Sequence, residues 1–213
     1  MKTIALIDYG TGNLHSAARA LYKAAKNAGT GHEIQITSDP TLISNADKIV
    51  LPGVGHFADC AAHLRARTGL VAALEDAVLH RRIPFLGICV GQQLLATRGM
   101  EGGGTPGLGW ISGDVARIRP RGHLPIPHVG WNELKLHQTH PVLCDLGPDP
   151  HVYFTHAYAY ADIKAEHIAA TTDYGGPIIA AVARDNIFAT QFHPEKSQKT
   201  GLKLLANFVL WAP

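Results

Sequence analysis

The apolar positions of this chain follow two rhythms, and the change between them divides it near the middle. Residues 3–7, apolar without a break from Ile4 to Ile7, predict a buried strand. Over residues 13–28 the spacing becomes helical, with Leu14, Ala17, Ala18, Leu21 and Ala25 on one face. Residues 33–37 alternate as a second strand, and 48–51 form a third that Pro52-Gly53 is expected to break. A helix over 70–82 stops ahead of Pro84, a strand follows over 85–88, and 91–97 opens another helix. Strands and helices taking turns predict an α/β fold, an open and mostly parallel sheet with helices on both faces.

Beyond Leu108 the texture changes. Short runs at 115–118, 152–159, 168–172, 178–183 and 187–190 predict antiparallel strands in the C-terminal half. Residues 197–210 close the chain as a helix with Leu202, Leu205, Phe208 and Val209 facing inward, and the glycine-rich 99–107 reads as a loop. With no repeat and no linker, 213 residues are expected to form a single domain over 1–213.

Charge narrows the function. Lys+Arg 19 against Asp+Glu 17 leaves a formal net of +2, no case for a nucleic-acid surface. Three cysteines, Cys60, Cys89 and Cys144, are too sparse for a disulfide framework and lack zinc-site spacing. The N-terminal apolar run is too short for a signal peptide, and no run approaches the roughly 20 residues that span a membrane. A cytoplasmic protein is expected.

The chemistry concentrates at Gly87-Ile88-Cys89-Val90-Gly91-Gln92-Gln93. A cysteine between a strand and a helix, with glycine two residues to either side, reads as a nucleophile elbow. A helix starting just after Cys89 would aim its free N–H groups at the sulfur and favour thiolate. A nucleophilic thiol needs a base, and the base needs an acceptor that fixes its tautomer. His193 and Glu195, two apart in Gln191-Phe192-His193-Pro194-Glu195-Lys196-Ser197, supply both if the fold brings them to Cys89.

Gly-Ile-Cys-x-Gly-x-Gln with Phe-His-Pro-Glu resembles the class I, triad-type glutamine amidotransferases. Further stretches narrow the likeness: Tyr9-Gly10-Thr11-Gly12-Asn13-Leu14, Leu51-Pro52-Gly53-Val54-Gly55, Pro127-His128-Val129-Gly130-Trp131-Asn132 and Tyr153-Phe154-Thr155-His156-Ala157-Tyr158. The ordered set resembles, from Ile4 to Leu210, the glutaminase subunits of imidazole glycerol phosphate synthase. The resemblance implies hydrolysis of L-glutamine through a Cys89 thioester, with His193 as base and acid and Glu195 as its orienter. The Val90 N–H and the Val54 segment would form the oxyanion hole. Glycine on both sides of Val54 lets the Gly53–Val54 peptide turn, exchanging N–H for C=O at that hole. Gly53, Gly55, Gln93, Glu101, His156, Ala157 and Tyr158 would line the glutamine site. Asn13, Trp131, Tyr153 and Lys196 would face a partner. By that resemblance the partner would be a cyclase subunit built as a (β/α)8 barrel, in a heterodimer; this chain has too few strand–helix units to hold the barrel itself. No metal or organic cofactor is implied.

Four positions depart from the family pattern: Gln92 stands for Met, Gly99-Met100 for Ser-Glu, and Ala157 for Ser. Two other functions stay open, a glutaminase serving another synthase and a catalytically silent protein on the same scaffold. Without the resemblance, Asn13 reads as a helix cap and Trp131 as core filling. Gly109-Trp110 reads as a turn and a packed aromatic. Arg65/Arg67 and Arg81/Arg82 read as solvated helix faces, and Cys60 and Cys144 as buried or half-buried small hydrophobes.

Overall fold

A computed structural model describes residues 2–213. The first half builds strands β1 (Thr3–Ile7), β2 (Glu33–Thr37), β3 (Lys48–Gly53) and β4 (Phe85–Cys89). Between and after them run helices α1 (Leu14–Asn27), α2 (Pro40–Ser44), α3 (Phe57–Ala66), α4 (Leu70–Glu75) and the single turn α5 (Val90–Gln93). The second half is mainly strands: β5 (Arg98–Gly99), β6 (Thr105–Pro106), β7 (Asp114–Arg117), β8 (His128–Glu133) and β9 (Lys135–Leu136). They continue as β10 (His151–His156), β11 (Tyr158–Ala161), β12 (Ile168–Asp173), β13 (Pro177–Arg184) and β14 (Ile187–Thr190), before helix α6 (Gln198–Leu210).

The main sheet has the order β2-β1-β3-β4-β14-β13-β12-β9. Pairing is parallel from β2 to β14 and antiparallel beyond. The chain leaves β1 toward β2 on one side, then runs from β3 to β4 on the other. Right-handed crossovers therefore put α1 and the α3–α4 pair on opposite faces. The reversal opens a crevice at the C-terminal ends of β1, β3, β4 and β14, the usual ligand position in open α/β sheets. Two small sheets flank it, an antiparallel ribbon of β8 and β10 and a four-stranded sheet ordered β11-β7-β5-β6. Tyr9, Phe57, Phe85, Phe154, Phe188, Phe192 and Phe208 are fully buried in the core around it.

Several elements differ from the sequence reading for physical reasons. Strand β3 runs through Pro52-Gly53, which pair with Ile88 and Cys89. Its pairing with β1 ends at Val50, so Pro52 has no β1 residue opposite it on that side. The helix expected over 91–97 is only α5, so dipole support for the sulfur comes from one turn. The helix over 70–82 is α-helical to Glu75 and π-helical over Asp76–His80. The run 152–159 is two strands separated at Ala157, and the loop 99–107 contains the β5/β6 pair. The sequence reading leaves out strand β8 and helices α2 and α3, although Phe57, Cys60, Ala61 and Leu64 of α3 recur at helical spacing and are all buried. Trp131 is 47% exposed rather than core, and Cys144 is exposed. Arg65 is no free surface charge, since it donates to the carbonyls of Pro106 and Gly107 at 2.8 and 2.9 Å. Among the described residues no helix is long and apolar enough to cross a membrane.

Candidate active site

The elbow at Cys89 is built from close backbone contacts. Cys89 itself takes φ 55°, ψ −111°, a conformation a side-chain-bearing residue holds only when its surroundings impose it. The glycines around it serve contact rather than the turn. A Cβ on Gly91 would lie 1.9 Å from the Leu51 carbonyl oxygen, and one on Gly87 would lie 2.8 Å from that of Gly91. Strand β3 therefore presses directly on α5, and the sulfur is carried out at the end of β4.

His193 follows β14, the parallel neighbour of β4. Its backbone N–H donates to Tyr153 O at 3.0 Å, and its carbonyl accepts from the Ser197 hydroxyl at 2.6 Å, so β10 and the start of α6 hold it. The Nδ1 of His193 lies 2.7 Å from Glu195 Oε1, with both side chains almost fully buried. That contact assigns the proton to Nδ1 and leaves Nε2 as the base. Nε2 is buried and bonds to no protein oxygen or nitrogen; Cys89 is the group beside it. Burial opposes a charge on this imidazole, but Cys89 and Glu195 outweigh burial and push its pKa up to about 9.

Cys89 and His193 open into a cavity of about 530 Å³. Asn13, Val54, Gly55, Val90, Gln93, Glu101, His156, Ala157, Tyr158 and Lys196, all singled out from the sequence, line it. Gly53 does not. It lies behind the wall, where a Cβ would meet the Tyr9 hydroxyl at 2.6 Å. Trp131 and Tyr153 do not line it either. They face each other across the β8/β10 ribbon, ring centroids 6.0 Å apart, on its outer face, and Lys196 Nζ lies 5.9 Å from the Tyr153 ring. Val129, 54% exposed, shares that face through the two-residue period of the strand. A larger cavity of about 760 Å³, lined by Arg117, Arg119 and Arg121, lies beyond Tyr158, and none of the triad opens into it.

The wall residues divide between binding and support. Val90 is the first residue of α5, so its N–H is one of the helix's unpaired donors. The Val54 carbonyl accepts from Cys60 Sγ at 3.4 Å, and Cys60 reaches Thr11 at 3.6 Å. Burial is also the main cause raising the Tyr9 phenol and the Cys60 thiol above their ordinary values. Glu101 accepts from the Phe57 N–H at 2.8 Å, capping α3 while it lines the cavity. Asn13 caps α1 through Ser16 N at 3.3 Å. Ala157 O accepts from Ile118 N at 2.9 Å, and Tyr158 O accepts from Gln93 and His156, so those carbonyls are already engaged. Gly99 explains one departure, since a Cβ there would lie 2.4 Å from the Phe57 ring. Gln92 is fully buried, with Nε2 on Ala189 O at 3.3 Å and Oε1 unpartnered. Among the described residues no group of three His, Cys, Asp or Glu could hold a metal ion.

Sequence reasoning missed one residue at the sulfur: Gln191, fully buried, whose Nε2 lies 3.7 Å from Cys89 Sγ. Its place just before Phe-His-Pro-Glu was the available signal.

The sequence profile of class-I glutamine amidotransferases matches residues 5–212, and the chain belongs to that family. Among its relatives are proteins named imidazole glycerol phosphate synthase subunit HisH. That of Caulobacter vibrioides is 50% identical over 100% of both chains, and that of Mesorhizobium japonicum 51% identical over 99% of each. Solved structures share the fold. A glutamine amidotransferase superposes with a TM-score of 0.71 at 17% identity, covering 97% of this chain and 99% of that one. The glutaminase domain of Trypanosoma brucei CTPS, with bound acivicin, gives 0.64 at 14% identity, covering 100% and 96%.

Proposed function

We propose that this chain, a single domain over 1–213, is the glutaminase half of a cytoplasmic imidazole glycerol phosphate synthase heterodimer in histidine biosynthesis. L-Glutamine enters the 530 Å³ cavity. The Cys89 thiolate attacks its side-chain amide carbon, and the Val90 N–H with the Val54 segment receives the developing oxyanion. The C–N bond breaks as His193 gives its proton to the departing nitrogen, leaving a γ-glutamyl thioester. His193 then takes a proton from water, which attacks the thioester and releases glutamate. Glu195 holds the imidazole and offsets its charge. Ammonia passes along the side of the cavity bounded by Lys196 toward the exposed face of Trp131, Val129 and Tyr153. There a cyclase subunit built as a (β/α)8 barrel would dock and use it to make imidazole glycerol phosphate and aminoimidazole carboxamide ribotide.

The observation that carries this reading is the buried His193–Glu195 contact of 2.7 Å, with the free imidazole nitrogen turned toward a cysteine held in a strained backbone. The test is co-purification with the cyclase, then glutaminase turnover of the chain alone, with cyclase, and with cyclase plus its nucleotide ligand. Turnover should rise at each step, because the partner and its ligand favour the state in which the Gly53–Val54 peptide offers its N–H. Losing one oxyanion donor typically costs roughly 10²–10³ in rate. Equal turnover in all three would remove the switch. Cys89→Ala should abolish glutamine-dependent synthesis and leave ammonia-dependent synthesis intact; retained glutaminase activity would refute the mechanism.

A further inference from the structure

Hydrogen bonds link the β8/β10 ribbon to the nucleophile, meeting at the Tyr158 carbonyl, which accepts from both sides. Asn132 Oδ1 accepts from Glu133 N at 2.9 Å, which identifies its other terminal atom as the amide donor. That amide donates to Asp173 O at 2.8 Å and lies 3.4 Å from His128 Nε2. His128 therefore accepts at Nε2 and donates from Nδ1, 3.1 Å from His156 Nε2. His156 in turn donates from Nδ1 to Tyr158 O at 2.9 Å. Gln93 spends one amide hydrogen on the same carbonyl and the other on Gln191 Oε1, each at 2.9 Å. With its oxygen occupied, Gln191 turns its amide to Cys89 Sγ.

The chain of donors has a fixed sense only while both imidazoles are neutral. Burial lowers each to about 4, and the nearby His193 further opposes charge on His156. Stacking fixes the orientation of His128, between Phe154 at 4.7 Å and Tyr174 at 4.0 Å. Register accounts for the pair, since His128 and His156 are directly opposed in the ribbon.

We propose that Gln191 is a catalytic residue that favours the Cys89 thiolate by donating a hydrogen bond to the sulfur, and that His128 is a positioning residue that orients Gln93 and Gln191 through His156 and the Tyr158 carbonyl. A hydrogen bond to a charged acceptor is roughly twice as strong as one to a neutral acceptor, so the Gln191 amide stabilises thiolate over thiol. With both amide hydrogens committed, Gln93 has its Oε1 left to meet a ligand in the cavity it lines. This inference deepens the glutaminase reading and rests on it.

Two readouts test it in the chain bound to its cyclase partner. One is the pH profile of Cys89 alkylation by iodoacetamide, followed by peptide mapping so that Cys60 and Cys144 are counted apart; it needs no glutamine. The other is glutaminase kcat and KM. His193, itself paired with Glu195, and Tyr9 and Cys60 all interact electrostatically with Cys89, so each profile is read against wild type. Gln191→Glu removes the donor, and its Cys89 alkylation near neutral pH should fall about tenfold, with the profile displaced to higher pH. His128→Phe keeps the stack and loses the donor; KM for glutamine should rise about tenfold with a smaller change in kcat. His128→Asn can place an amide where Nδ1 stands, and should return KM to within about threefold of wild type. A wild-type alkylation profile for Gln191→Glu, or equal KM for His128→Phe and His128→Asn, overturns the proposal. An altered profile in a protein that never hydrolyses glutamine would instead overturn the glutaminase reading.

Discussion

The floor of the cavity and the ribbon face beside it differ in how they are held. The floor is clamped from every side: β3 presses on α5, β14 delivers Gln191 and His193, and Cys89, Gln191 and His193 are all buried. The outer face of β8/β10 is held by a single pair of strands and leaves Val129 and Trp131 more than two-fifths exposed. The difference separates bond breaking from delivery. The floor carries groups whose pKa and orientation are fixed before substrate arrives, while the ribbon face presents apolar surface that only a partner can cover. Changes at the floor should alter chemistry with or without the cyclase, and changes on the outer face of the ribbon should show only in the complex.

The sharpest way to break that contrast is Glu195→Gln. It keeps the shape and removes the charge that supports the imidazolium. Glutaminase turnover should fall about tenfold to a thousandfold, in the isolated chain and the complex alike. An effect confined to the complex would place Glu195 with the interface residues. Gly91→Ala comes next, because its Cβ has no space against Leu51 O. Denaturant titration should show a loss of about 1–3 kcal/mol or more, with lower turnover. An unchanged midpoint would mean that the floor can yield.

On the ribbon side, Lys196→Ala should leave the melting temperature and ammonia-dependent synthesis near wild type. Cyclase affinity should weaken about threefold to thirtyfold, or ammonia should escape to solvent. Wild-type affinity together with undiminished nitrogen transfer would remove Lys196 from the interface. A last comparison reads stability against pH. Burial lowers His128, His140 and His156 from 6.5 to about 4, so the unfolded chain binds protons that the native one refuses in that window. Stability should be fully present above about 6.5 and decline as pH falls toward 4. His193 has the opposite sign: raised to about 9, its contribution is complete below 6.5 and is lost as pH rises through 9. Denaturation midpoints across that range give the check, and a flat acid limb would contradict the buried imidazoles.

The parallel half was legible because both its periods are local. A strand such as β1 and a helix such as α1 declare themselves within a few residues. Cys89, His193 and Glu195 were legible because motif and chemistry coincide. What escaped depends on contacts made elsewhere. Pro52 stays in β3 only because the β1 pairing has already ended, which no local pattern records. Trp131 looks like core until β8 pairs with β10 and turns it outward. Lys48, a polar residue at the start of a strand, is buried because its ammonium donates to the carbonyl of Trp211 near the other end of the chain. Gln191 does not titrate and His128 is one of thirteen histidines, and their roles exist only in the hydrogen bonds they make.

The most direct test of the central claim is to trap the acyl-enzyme. The complex is mixed with L-glutamine radiolabelled in its carbon chain, quenched in acid during turnover, and digested for peptide mapping. A glutamyl label on the peptide containing Cys89, absent from Cys89→Ala and released by neutral hydroxylamine, is the predicted result. Steady glutamine hydrolysis with no label on that peptide, under conditions where the thioester should accumulate, would contradict the account.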